Sequence, residues 1–325
     1  MRAVVYSEYG GPEVLRLAEV EKPAPADNEI LVKVHAAAVN PVDWHFMRGS
    51  PFPIRFGRGL KKPKTPQRLG FDFSGTVEAV GGHVTRSTIG DAVFGGASGS
   101  LAEYVILSGD RDPVKKPDRL TFEQAAGVAL AGMTALQALR DKAQVQRGQH
   151  VLINGAAGGI GTYAVQLAKS FGANVTGVQS TRNVELVRSL GADHVIDYMT
   201  ADFTTTGERY DVIFDNVSNR SLAEIGRVLK PGGTLVPNGG GTPDKPASIA
   251  RLLKTLMMWP FLNHKIRFFV TSPNRDDLQF LADLLQAGTL VPVIDRCYPL
   301  SEAADAMRHL ESGHARGKII VTITS

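Results

Sequence analysis

Between His150 and Lys169 the chain reads HVLINGAAGGIGTYAVQLAK, and its small residues have the types and spacing to hold a pyrophosphate. The apolar run Val151-Leu152-Ile153-Asn154 predicts a strand, while Ala164, Val165, Ala168 and Phe171 recur at the spacing of a helix face. The turn between them is Ala156-x-Gly158-x-x-Gly161, with Gly159 and Ile160 inside it, and Gly155 extends it to G-x-x-G-x-x-G. Glycines at this spacing turn the chain tightly, let backbone approach a pyrophosphate and let the helix sit close on the strand. The N–H groups and positive dipole end of the helix that follows attract the phosphate. The chemistry indicated is dinucleotide binding, provided that the turn lies between a strand and a helix of a larger sheet.

The elements needed to position that turn follow it in order. Ala173–Gln179 reads as a strand, Asn183–Leu190 as a helix, and His194–Asp197 and Tyr210–Asp215 as strands. Leu222–Leu229 reads as a helix stopped by Lys230-Pro231-Gly232-Gly233, Thr234–Pro237 as a strand, and Arg267–Val270 as the last strand. Such alternation implies a parallel, doubly wound sheet that takes ligands at the carboxyl ends of its strands. The N-terminal third is different: Ile30, Val32 and Val34 alternate with Leu31, Lys33 and His35, and Pro or Gly interrupts every few residues. Short strands joined by turns predict a partly open β-barrel. From Thr121, an N-cap candidate, Ala/Leu-rich helical runs begin. Arg275–Ala287 and Ser301–Leu310 read as helices and Lys318–Ile323 as a final strand. The division expected is 1–118 and 273–325 for the β-rich part and 119–272 for the nucleotide-binding part.

A chain of 325 residues has room for two domains and a large core. A hydrophobic share of 43% with 21% charged residues belongs to an ordinary globular protein. The net charge of +4 comes without a basic stripe interleaved with aromatics, so no nucleic-acid partner is expected. The dense basic run Arg55–Arg68, rich in Pro and Gly, reads as a solvated loop. One cysteine, Cys297, excludes an internal disulfide and a Cys-rich zinc site. The longest uncharged apolar stretch, Gly127–Leu139, is shorter than the about 20 residues of a membrane span. Arg2–Tyr6 already looks like a strand with no secretory signal before it, and a cytoplasmic protein is expected.

Several motifs, in order, resemble the medium-chain dehydrogenase/reductase superfamily. They are Asn40-Pro41-Val42-Asp43-Trp44, Leu69 to Val77 (LGFDFSGTV), Gly90 to Gly95 (GDAVFG), Ala131 to Ala135 (AGMTA) and Asn154–Gly161. Within the superfamily the chain is similar to the zinc-independent quinone oxidoreductase (zeta-crystallin-like) branch, in particular the subgroup of reticulon-4-interacting protein and chloroplast-envelope quinone oxidoreductase homologues. The resemblance spans nearly the whole chain. It implies an α/β protein: a GroES-like, partly open β-barrel catalytic domain wrapped around a Rossmann domain, with the active site in the cleft between them, and a homodimer.

Zinc-dependent relatives have a cysteine where this chain has Asn40 and Gly-His-Glu where it has Gly70-Phe71-Asp72. An amide and a phenyl ring bind Zn²⁺ poorly or not at all, and none of the eight histidines forms a helical pair, so no metal is expected. The second strand of the nucleotide-binding part ends Val178-Gln179-Ser180-Thr181-Arg182, without the acid that would hold an NAD ribose. Ser180 and Arg182 can donate instead to a 2′-phosphate, which selects NADPH. The resemblance adds Tyr198 beside that phosphate and Lys318 reaching toward the cofactor. It places Thr134, Asn238, Gly239 and the Phe268-Phe269-Val270 strand around the nicotinamide and its ribose, with Asn216 and Val217, also cofactor-binding candidates, at a strand end above the sheet. Asn40 stands where relatives present an asparagine to the nicotinamide and acceptor, with Asp43 on the same loop; these two are the catalytic candidates. Without a metal the acceptor must tolerate negative charge by itself, as quinones and α,β-unsaturated carbonyl compounds do. The expected reaction is hydride transfer from NADPH to such a small electrophile. An NADPH-binding scaffold with little turnover is the alternative, since no general acid declares itself, and a zinc alcohol dehydrogenase is the third reading.

Overall fold

The structure, a computed structural model, describes residues 1–108, 113–239 and 264–323. Two compact units divide the chain: Met1–Met133 with Ser272–Ser325, and Thr134–Thr271.

In the first unit, β1 (Arg2–Tyr6) pairs antiparallel with β2 (Arg16–Glu19) and, on its other edge, with β4 (Gln67–Arg68). The larger sheet is built on β3 (Glu29–Val39). Along one edge β3 pairs with β5 (Asp72–Val80), which continues to β6 (Ala92–Gly96) and β8 (Val114–Lys115). Along the other edge Glu29–Lys33 pair with β7 (Tyr104–Ser108). Two register shifts against β5, between Leu31 and Val32 and between Val34 and Ala36, bend the strand and curl the sheet into a partly open barrel. Ile30, Val32 and Val34 enter the main core with Phe73, Val77 and Leu101. Past the bend the alternation fails because both faces are covered: Ala37 and Val39 join that core, while Ala36 and Ala38 pack on Ala126 and Ile320. Small side chains there leave room for helices above and below.

Helix α1 (Pro41–Arg48) follows β3, and α2 (Phe122–Ala126) starts at Thr121, whose side chain accepts from the Gln124 N–H. The next helix is α3 (Ala129–Leu136). Residues 119–133, expected with the nucleotide-binding part, count with the barrel. The Ser74 hydroxyl donates to the Phe122 carbonyl and Asp72 accepts from the Leu130 N–H, so this helical stretch is bonded to β5.

Among its described residues the second unit is a six-stranded parallel sheet of β9 (His150–Asn154), β10 (Asn174–Gln179), β11 (His194–Asp197), β12 (Tyr210–Asp215), β13 (Leu229–Pro237) and β14 (Lys265–Ile266). Its order is β11-β10-β9-β12-β13-β14, every neighbouring pair parallel. Helices α4 (Gly159–Ser170), α5 (Val184–Ser189) and α6 (Leu222–Val228) are the crossovers. Leu152, Val178, Ile213 and Leu235 centre one core cluster. The Lys230–Gly233 stop appears as an interruption: Leu229 pairs with Tyr210 and the ladder resumes at Thr234 with Val212.

The edge strand corrects the reading of Arg267–Val270 as a strand: the ladder covers Lys265–Ile266 and ends with the Arg267 N–H on the Leu235 carbonyl, 2.9 Å. Phe268 and Val270 are 39% and 91% exposed, because the chain leaves the sheet where, among the described residues, no further strand covers it. The apolar stretch 245–264 lies, but for His264, outside the described residues. The tail returns to the first unit as helices Arg275–Gln286 and Ala303–Glu311 and strands β15 (Ile294–Pro299) and β16 (Lys318–Thr322), with β16 antiparallel on Ala36–Val39 of β3. Among the described residues no helix is long and apolar enough to cross a membrane.

Candidate functional site

In the nucleotide-binding unit the glycine turn leaves β9 where the strand order reverses, with β10 on one side and β12 on the other. Open parallel sheets take their ligands at such a switch point. A Cβ on Gly161 would lie 2.1 Å from the Gly155 carbonyl oxygen, so only glycine lets α4 start this close to the strand. Gly158 is the N-cap of α4, and a Cβ there would meet only the Gly155 oxygen, at 3.4 Å. The first amides of a helix, here those of Gly159, Ile160 and Gly161, have no carbonyl one turn back. Open space in front of them is a cradle that fits a phosphate. Ala156 is fully buried beneath the turn.

Strands β10 and β11 end side by side, Gln179 opposite Asp197, and the Tyr198 N–H donates to the Gln179 carbonyl, 3.0 Å. Ser180, Arg182 and Tyr198 thereby gather at one corner, Ser180 half-buried and the other two exposed. Asp197, not anticipated from the sequence, is committed locally: it accepts from the Thr181 hydroxyl at 2.6 Å and the Met199 N–H at 2.9 Å.

Beyond β12 the organising group is Asp215, which is 3% exposed. Its carboxylate accepts from the Asn154 side chain at 2.8 Å and from the N–H groups of Val217 and Ser218 at 3.2 and 2.8 Å. Its carbonyl accepts from Asn238 and Gly239, 2.9 and 3.2 Å. These bonds hold Ser218 at φ +58, the left-handed region. Asn216 Oδ1 accepts from Asn238 Nδ2 at 2.9 Å, whereas Asn216 Nδ2 is buried without a partner among the described residues. A buried donor in that state fits a ligand acceptor. Val217 is 44% exposed beside it. Thr134 and Thr271 share a hydrogen bond of 2.7 Å between their hydroxyls, and Phe269 and Val270 lie just before Thr271, half-buried and exposed.

The first unit holds a polar cluster of another kind. Asn40 is the N-cap of α1, yet its amide does not cap the helix. Nδ2 donates to Asp72 Oδ2 at 3.1 Å and to the Ala38 carbonyl at 3.3 Å, and Oδ1 accepts from Lys318 Nζ. Capping falls to Asp43, which accepts from the Asn40 N–H at 2.8 Å and, with its other oxygen, from the Gly70 N–H at 3.1 Å. Gly70 has φ +99, and a Cβ there would lie 2.6 Å from Leu101 N, so no larger residue brings its amide to Asp43. Lys318 Nζ is 3.7 Å from Asp72 Oδ2, and Asp72 Oδ1 accepts from the Leu130 N–H near the start of α3. Lys318 and Asp72 are 4% and 0% exposed in their side chains. Burial pushes the Asp72 carboxyl up and the Lys318 ammonium down, and the attraction between the two opposes both shifts. Burial, reinforced by Asp72, pushes Asp43 up to about 7 against the pull of the two amides and Lys318.

Known proteins share this architecture throughout. Residues 26–118 match the alcohol dehydrogenase GroES-like domain and 190–321 the zinc-binding dehydrogenase family. The chloroplast envelope quinone oxidoreductase homolog of Arabidopsis thaliana is 34% identical, the match covering 99% of this chain and 98% of that protein. The chloroplastic NADPH-dependent alkenal/one oxidoreductase of the same plant is 36% identical over 99% of this chain and 79% of its own. The quinone oxidoreductase structure from Coxiella burnetii superposes with a TM-score of 0.86 at 34% identity, covering 100% and 99% of the two chains. The chain belongs to the quinone oxidoreductase branch of the medium-chain dehydrogenase/reductase superfamily. Against that family's pattern, Asp72, Asp197 and Asp215 are the residues that sequence reasoning did not place in a site. Asp197 stands next to Tyr198 and Asp215 next to Asn216, but adjacency does not show which backbone amides a carboxylate will collect.

Proposed function

We propose that the protein is a metal-free, NADPH-dependent reductase that transfers hydride to quinones or α,β-unsaturated carbonyl compounds. The observation that carries it is the Gly158–Gly161 cradle at the switch point, with Ser180 and Arg182 at the neighbouring strand end. The relatives named for quinone and NADPH-dependent alkenal/one reduction support it. The amides of Gly159, Ile160 and Gly161, over Ala156, hold the pyrophosphate. Ser180, Arg182 and Tyr198 surround the 2′-phosphate, where a charge-assisted bond from Arg182 favours NADPH over NADH. Asn216 offers its unused Nδ2, and Thr134, Val217, Asn238, Gly239, Phe269 and Val270 line the nicotinamide half. When bound, the cofactor supplies a hydride from its nicotinamide ring; the chain supplies orientation and exclusion of water.

On the acceptor side Asn40 and Asp43 act as positioning residues. Both Asn40 amide protons and its oxygen are engaged by Ala38, Asp72 and Lys318, so Asn40 shapes the start of α1. Lys318, bonded in the same cluster, supports that loop. No zinc is assigned: Asn40 is consumed, Phe71 offers no donor, and a buried ammonium beside Asp72 repels a dication. A homodimer in the cytoplasm is the proposed working form, on the strength of the family resemblance and the single cysteine.

The test is NADPH oxidation by chelator-treated protein against panels of quinones and α,β-unsaturated ketones, with NADH as control. Turnover with NADPH preferred is the expected result. Tight NADPH binding with no turnover in either panel would shift the assignment to a nucleotide-binding scaffold.

A further inference from the structure

From Trp44 to Phe71 the sequence contains no Asp or Glu, and the part that follows α1 puts apolar and cationic side chains outward together. Phe52, Phe56 and Leu60 are 55%, 64% and 52% exposed. Unsupported, such a loop would fold its aromatic rings inward, but inward-facing groups brace it from beneath. Arg55 donates to the carbonyls of Gly49, Arg48 and Leu60 and stacks on Tyr9, 4.5 Å from the ring centre. The Tyr9 hydroxyl donates to the Gly59 carbonyl at 2.9 Å, and Arg58 lies 4.1 Å over the Phe46 ring. Arg48 pairs with Glu311 through two bonds of 2.6 and 2.9 Å. Three arginines of the run are thus spent on the fold. The Lys61, Lys62 and Lys64 side chains remain exposed, their ammonium groups making no hydrogen bond or ion pair among the described residues.

We propose that this loop, Phe52 to Lys64, docks the protein on the surface of an anionic lipid bilayer. Apolar side chains that insert at headgroup depth, beside lysines whose stems lie along the interface, are the composition such a surface selects. Single-stranded nucleic acid is the poorer match, since it needs open ring faces for bases. Phe52 and Phe56 meet edge to face, their centroids 5.7 Å apart and the planes at 80°, and Arg55 lies 5.9 Å over the Phe52 ring. The inference is independent of the proposed reductase activity: a soluble acceptor assayed without lipid tests that reading alone.

The experiment is co-sedimentation of the full chain with phosphatidylcholine vesicles, neutral or carrying about 30% phosphatidylglycerol. Binding is expected on the anionic vesicles only and should weaken in about 0.5 M salt, where the charges are screened. At about five-fold per lysine near an anionic surface, Lys61→Gln/Lys62→Gln/Lys64→Gln together should lower partitioning about 100-fold. Phe52→Ser/Phe56→Ser should weaken binding to the same vesicles at unchanged charge. Both variants sit on the surface and should keep the parent melting temperature, which separates loss of docking from loss of fold. Absence of vesicle binding, equal binding to neutral vesicles, or binding untouched by either variant overturns the proposal. Tighter binding to polyglutamate or duplex DNA at equal anionic charge would assign the loop to another polyanion and overturn it too.

Discussion

The two units carry polar clusters that use hydrogen bonds in opposite ways. In the first, Asn40, Asp43, Asp72 and Lys318 are buried and bonded to one another or to backbone. In the second, the carboxyl ends of the strands carry an open glycine cradle and, on Asn216, an amide donor without a partner among the described residues. A saturated cluster has its interaction energy invested in the fold, whereas an unsaturated one has it available for a ligand. Substitutions in the first should therefore be felt as stability, and in the second as cofactor affinity.

The largest effect expected is that of Asp72→Ala, which leaves the Lys318 ammonium buried without its counter-charge. It should cost about 3–5 kcal/mol in denaturant unfolding, and Asp72→Leu/Lys318→Met should recover much of that, because both charges leave together. Equal loss in the single and double variants would mean that the pair is not the source of the cost.

The pH dependence of Asp43 comes next. Its folded pKa is raised to about 7 from 3.8, so its stabilising contribution is fully present below about pH 4 and is lost as pH rises through about 7. Asp43→Asn lacks this titration and turns an acceptor for two amides into a partial donor. The variant should be less stable than the parent throughout, and the gap should narrow by a few kcal/mol between about pH 4 and pH 8. A gap constant over that range would remove the raised carboxyl from the account.

Arg182→Ala probes the other region. The loss of a charge-assisted bond predicts NADPH weakened about 10–100-fold and NADH changed less than about three-fold, measured by fluorescence titration, with the melting temperature kept. Equal losses for both cofactors would sink the 2′-phosphate assignment. The mildest effect on folding belongs to Gly158→Ala. Its Cβ finds room in the chain by itself, so stability should move by less than about 0.5 kcal/mol while NADPH affinity falls. Gly161→Ala, whose Cβ would collide with backbone, should lose both.

The sequence by itself determined the parallel sheet, the glycine turn and the strand–helix alternation, because these follow from local period and turn chemistry that neighbours in the chain share. Ser180 and Arg182 are legible as the end of the second strand, whereas Tyr198 comes from the family resemblance; the register of β10 on β11 sets Gln179 opposite Asp197 just before them. The sequence misread Arg267–Val270, since apolar β-forming residues say nothing of whether a sheet has a further strand to pair with. Only the tertiary structure decided the partners of Asn40: Asp72 lies 32 residues away and Lys318 278, and the bonds form because β5, β16 and α1 converge where β3 ends. Long-range pairing of buried charges depends on packing that no local pattern encodes, and for that reason the lysine read as a cofactor ligand is found bonded in the interior of the barrel unit.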